Sequence, residues 1–113
     1  MNEIKLTVHP FWMDTDKGAA LKPLEESAEV YGAFHEVTPC GTSDVCKSCT
    51  LKNVTGCMGY VDLGEEIADC ITACVNLADR YDIDLQDAID RVEQRNRIRG
   101  RYANEEQNHR ALA

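Results

Sequence analysis

A chain of 113 residues with a formal net charge of −8 has room for one core and not two, and it lacks the basic footprint that a general nucleic-acid binder needs. No stretch approaches the roughly 20 apolar residues of a membrane span, and the opening MNEIKLTVHP has no signal-peptide apolar run, so no membrane contact and a cytoplasmic location are expected. The charge is split: residues 1–90 hold 6 Lys/Arg against 17 Asp/Glu, and residues 91–113 hold 6 Arg against 3 Glu. An acidic body with an Arg-rich end suits a site where carboxylates hold a cation and arginines hold phosphates. A solvated helix with i,i+4 pairs would give the same counts.

Residues 1–13 are mixed and end in the aromatic patch HPFWM. Asp14, Thr15 and Asp16 offer caps for a helix over about 16–36. Pro23 is expected to kink that helix or to restart it. Leu21, Leu24, Ala28 and Tyr31 share one face, expected to be core together with Phe34, while Glu25, Glu26 and Glu29 fan across the adjacent face. Residues 38–61 lose all periodicity and read as a cysteine-rich insert. Asp62 followed by Glu65 reads as a capping box opening a second helix over about 63–80. Its expected core stripe is Ile67, Ile71, Cys74 and Ala78, and its opposite flank carries Glu66, Asp69, Ala73 and Asn76. Cys70 and Cys74 are expected to be small core residues. Asp84 caps a third helix from Leu85 to about Arg101, with Leu85, Ala88, Ile89 and Val92 inward, and the polar tail over about 103–113 is expected to fray. Nothing alternates with period 2, so the expectation is one all-α domain over 1–113, a helical bundle. Three helices rarely enclose a deep site alone, and oligomerisation is expected to complete it.

Two short signatures carry the chemistry: Glu25-Glu26-x-x-Glu29 and Glu65-Glu66-x-x-Asp69. The i,i+3 spacing puts two carboxylates on one helix face, about 5–6 Å apart at Cβ, where like charges repel unless a cation lies between them. Two such pairs on facing helices would converge four oxygen ligands, Glu26, Glu29, Glu66 and Asp69, on one hard cation. Mg²⁺ fits better than a buried Ca²⁺ cage because it keeps waters and takes further ligands from phosphates. A single such signature is ordinarily a solvated acidic face, and the helix dipole alone accounts for Glu65 and Glu66 near a helix start. It does little for Glu29 or Asp69.

With the third helix added, these residues resemble the MazG-like all-α nucleoside triphosphate pyrophosphatases, whose relatives include the dimeric dUTPases and dCTP pyrophosphatases. The resemblance covers 21–34 and 63–102, and rests on the two acidic signatures, the YDIDL turn and the ending Asn96-Arg97-Ile98-Arg99-Gly100-Arg101-Tyr102. It implies a Mg²⁺-dependent enzyme that cleaves a nucleoside triphosphate between the α- and β-phosphates, acting as a homodimer or homotetramer. Glu26, Glu29, Glu66 and Asp69 match the family's metal carboxylates. Glu25 and Glu65 match the acids before them, Asn96 a polar residue near the phosphates, and Arg99 a phosphate contact. Either Glu25 or Glu29 would take the proton of the attacking water. Family members use aromatic residues near the base, which makes Trp12 the candidate stacking residue; an apolar anchor at a subunit contact is its other reading. Two departures stand out. Val92 occupies the place four residues before Asn96 where the family commonly has Lys, and the stretch between the acidic signatures is longer than usual.

That stretch holds Cys40-x₅-Cys46-x₂-Cys49-x₇-Cys57. Four thiols at this spacing can wrap a tetrahedral structural Zn²⁺. They would also accept an iron–sulfur cluster, and free thiols, disulfides or a redox role remain open. A non-catalytic, zinc-stabilised helical interaction module is the alternative to an enzyme.

Overall fold

The computed structural model describes residues 3–37 and 58–102. They form helices α1 (Asp16–Glu36), α2 (Met58–Arg80) and α3 (Leu85–Ile98), and no strand occurs among the described residues. The architecture is all-α, as the sequence pattern implies. Cys40, Cys46, Cys49 and Cys57 and the tail from 103 onward lie outside the described residues.

Thr15 caps α1 from an extended backbone, its side chain accepting the Gly18 N–H at 2.9 Å. A Cβ on Gly18 would come within 2.8 Å of that hydroxyl, so only glycine lets the cap close this tightly. The helix neither restarts nor ends at Pro23, which sits inside one continuous run. Proline there costs one backbone hydrogen bond, and the packing of this helix on α2 outweighs that loss.

α2 is already helical at Met58, five residues ahead of the start expected from the capping-box signature, and Asp62 and Glu65 lie exposed within it. Met58–Val61 therefore belong to α2 rather than to the cysteine-rich insert, and Gly59 packs beside Val37. α1 and α2 run antiparallel, with Arg80 paired to Asp16 at one end and Gly59 against Val37 at the other. Their interface is built from small and polar residues: Ala19, Ala73 and Ala78 are buried, and so are Glu26 and Asn76. Alanines allow two helices to approach closely, because no long side chain holds the backbones apart.

The expected faces hold only in part: Ala78 of the expected core stripe of α2 is buried and Ile71 half-buried, while Asp69 of the opposite flank is exposed. The flank of α2 that carries Glu66, Ala73 and Asn76 meets α1, whereas Ile67 and Cys74 of the expected core stripe are exposed. On α1, Leu21, Leu24, Tyr31 and Phe34 are likewise exposed, Leu24 at 67% and Tyr31 at 64%. Periodicity identifies an apolar stripe but not the surface that covers it.

α2 closes in a left-handed turn at Asp82 (φ 52°), with the Ile83 N–H bonded to the Ala78 carbonyl at 2.9 Å. Asp84 then caps α3, accepting from the Asp87 N–H at 3.0 Å. The helix stops at Ile98 rather than Arg101, because Gly100 turns left-handed (φ 73°) and donates to the Arg97 carbonyl. Ile89 and Val92, expected inward, are exposed.

The N-terminal segment lies along α2. Phe11 N–H donates to the buried Asn76 Oδ1 at 2.7 Å, and Arg80 donates to the Met13 carbonyl. The Arg80 guanidinium also sits 4.8 Å from the centre of the Trp12 ring. An open groove lined by Ile4, Leu6, Ile71, Val75 and Ile89 separates this segment from α3.

Candidate metal centre

Antiparallel packing of α1 on α2 brings the two acidic signatures to the same level. Glu26, Glu29 and Glu66 each offer one carboxylate oxygen, and these atoms lie within 4.8 Å of one another. Glu26 is only 7% exposed and Glu66 is half-buried, while Glu29 is at the exposed edge. Glu26 Oε2 and Glu66 Oε2 are both buried and have no hydrogen-bond partner. Desolvated carboxylate oxygens left without donors cost free energy, and a cation bound between them removes that cost. The donor set is all oxygen, which suits Mg²⁺ or Mn²⁺ rather than a thiophilic metal.

The electrostatics follow the geometry. Glu29 is held above its ordinary 4.5, chiefly because its protonated form hydrogen-bonds Glu26 and because the Glu26 charge opposes its ionisation. Desolvation adds to this, and Glu66 acts in the same two ways more weakly. Like-charged carboxylates sharing one place retain a proton in this manner unless a cation takes the proton's role.

Lys22 stands beside the group. Its Nζ lies 3.2 Å from Glu26 Oε1 and 3.5 Å from Glu25 Oε2. The hydrogen bond to Glu26 is the main reason that Lys22 holds its proton above its ordinary 10.5, with the charges of Glu26 and Glu25 contributing. Glu26 is therefore shared, with Oε1 toward Lys22 and Oε2 without a donor. The sequence reading overlooked Lys22, although its i,i+3 and i,i+4 spacing to Glu25 and Glu26 was the available signal.

The remaining sequence candidates are dispersed. Asp69, three residues beyond Glu66, is exposed and outside the group of three glutamates. Glu25 is exposed and tied to Lys22. Asn96 is engaged locally, its amide donating to the Tyr102 hydroxyl at 3.4 Å, and that hydroxyl donates to Glu93 at 2.7 Å. Arg99 is the C-cap residue of α3. Trp12 is 77% exposed and stacked on Arg80, near the end of α2 where Asp16 also lies. Within one chain the fold thus gathers three of the four proposed metal carboxylates and leaves the proposed phosphate and base residues apart from them.

Comparison with protein-family models, with curated proteins and with solved structures returned no match to this chain. Among the described residues, no helix is long and apolar enough to cross a membrane.

Proposed function

We propose that this chain is a Mg²⁺-dependent nucleoside triphosphate pyrophosphohydrolase of MazG-like type, releasing a nucleoside monophosphate and pyrophosphate in the cytoplasm. The observation that carries the proposal is the pair of buried, partnerless oxygens, Glu26 Oε2 and Glu66 Oε2, in one group with Glu29. Helix pairs usually bury apolar residues; this one buries Glu26 among Ala19, Ala73 and Ala78 and leaves Leu24 and Ile67 outside, and a cation on the carboxylates would offset the cost of desolvating them.

Glu26, Glu29 and Glu66 would hold the cation, with Asp69 the fourth carboxylate, one turn along the same helix. A bound Mg²⁺ would supply charge neutralisation at the reacting phosphate and polarise water. Glu29, at the exposed edge of the group, is the residue assigned to take the proton of the attacking water. Glu25 is one residue removed from the ligand set and shares Lys22 with Glu26. Asn96, Arg99 and Trp12 are assigned to the phosphates and base through assembly, with helices of a second copy completing a four-helix bundle. The exposed stripes of Leu21, Leu24 and Ile67 support a homodimer or homotetramer.

The deciding experiment incubates the protein with each nucleoside and deoxynucleoside triphosphate plus Mg²⁺ and resolves the products chromatographically. Monophosphate with pyrophosphate is the expected result. Diphosphate with phosphate, or no turnover of any nucleotide, overturns the proposal.

A further inference from the structure

We infer that Lys22 is a phosphate-binding residue of this site, its ammonium docked between Glu25 and Glu26 and turning to a phosphate oxygen when the metal-bound polyphosphate arrives. The inference rests on the reading of the glutamate group as a site for a metal-bound triphosphate. An i,i+4 Lys–Glu pair on a helix is ordinarily a solvated surface contact. Here the partner, Glu26, is buried and belongs to the carboxylate group itself.

Charge balance requires such a residue. Glu25, Glu26, Glu29 and Glu66 ionised, with one divalent cation among them, leave an excess of about two negative charges where a polyanion has to dock. Lys22 halves that excess and is the cation ion-paired with this group among the described residues. An ammonium carries three donors. Two of them serve Glu26 and Glu25, and the side chain is 42% exposed, which leaves a donor for a further partner. A metal between Glu26, Glu29 and Glu66 would also weaken the hold of Glu26 on Lys22, since the carboxylate charge is then shared with a stronger partner. Glu26 would then release Lys22 to the phosphates.

The test uses the full-length chain with Mn²⁺ and inorganic tripolyphosphate as probes, comparing wild type, Lys22→Met and Lys22→Arg by titration calorimetry, with circular dichroism to confirm helicity. Lys22→Met should bind Mn²⁺ at least as tightly as wild type, because a competing cation is gone. At saturating Mn²⁺ it should bind tripolyphosphate about tenfold more weakly, the loss of one charge-assisted contact, and Lys22→Arg should recover part of that loss. Equal tripolyphosphate binding by wild type and Lys22→Met overturns the inference, as does a Lys22→Met variant that has lost Mn²⁺ binding as well. Nucleotide turnover is scored separately. A wild-type protein that binds tripolyphosphate through Lys22 but hydrolyses no nucleotide upholds the lysine assignment and overturns the pyrophosphohydrolase reading.

Discussion

Glu26 on α1 and Glu66 on α2 face each other across the helix interface, each with a buried Oε2 that has no donor while the neighbouring Glu29 is ionised. The pair is costly in isolation, since both groups are desolvated and both are acidic. Its consequences are therefore measurable without knowing the substrate.

Mg²⁺ should stabilise the fold through these residues. A ligand at one hundred times its dissociation constant stabilises by about 2.7 kcal/mol, which in a domain of this size raises the melting temperature by roughly 10 °C or more. Glu26→Gln and Glu66→Gln should abolish the rise, and Asp69→Asn, outside the group of three, should reduce it less. In metal-free buffer Glu29→Gln should melt no lower than wild type, because it removes a like charge. Thermal melts of the four variants with and without Mg²⁺ decide the matter; an unchanged rise in Glu66→Gln would remove Glu66 from the ligand set.

The raised Glu29 gives the metal-free protein a pH signature. Its folded value lies above the ordinary 4.5, so between the two values the native state holds a proton that the unfolded chain has released. Stability from this group is complete below 4.5 and is lost as pH rises through the folded value. Urea midpoints of the metal-free protein across that window should fall with increasing pH in wild type, with the fall reduced in Glu29→Gln. Parallel curves for the two proteins would show that Glu29 does not hold the extra proton.

Much of this arrangement is legible in the sequence. Thr15 and Asp84 cap the helices that their positions imply, and the two acidic signatures do meet. The start of α2 is not legible, because the capping-box signature at Asp62 and Glu65 is overridden by a helix already running from Met58. Which stripe faces which helix is not legible either. Periodicity separates Leu24 and Ile67 from Glu26 and Glu66, but the convention that apolar faces meet places Ala78 correctly and Leu24, Ile67 and Cys74 wrongly. The burial of Glu26 in that interface runs against the convention. Contacts made across long stretches of chain, such as Phe11 N–H to Asn76, leave no local trace.

That Phe11–Asn76 bond, with the Arg80 clasp beside it, should anchor the N-terminal segment. Asn76→Ala leaves the Phe11 N–H without its acceptor and should cost about 1–2 kcal/mol. Arg80→Met removes the pairing with Asp16, the Met13 carbonyl and the Trp12 ring together. Its readout is Trp12, the single tryptophan of the chain, whose fluorescence should shift while the helical signal from α1 and α2 persists. An unshifted spectrum in Arg80→Met would mean that the segment is held by other contacts.

The exposed stripes lead to the last expectation, which concerns assembly. Leu24 and Ile67 lie 67% and 44% exposed on the two helices that hold the glutamates. A self-associating chain would bury this apolar surface. Light scattering after size exclusion should report a dimer or tetramer for wild type, and Leu24→Glu and Ile67→Glu should each shift it toward the monomer. Because the glutamate group is formed within one chain, the monomeric variants should retain Mn²⁺ binding while losing turnover that depends on Asn96 and Arg99 of a second copy. A monomeric wild type with full turnover would place the phosphate contacts within one chain and leave Lys22 as the cation at hand.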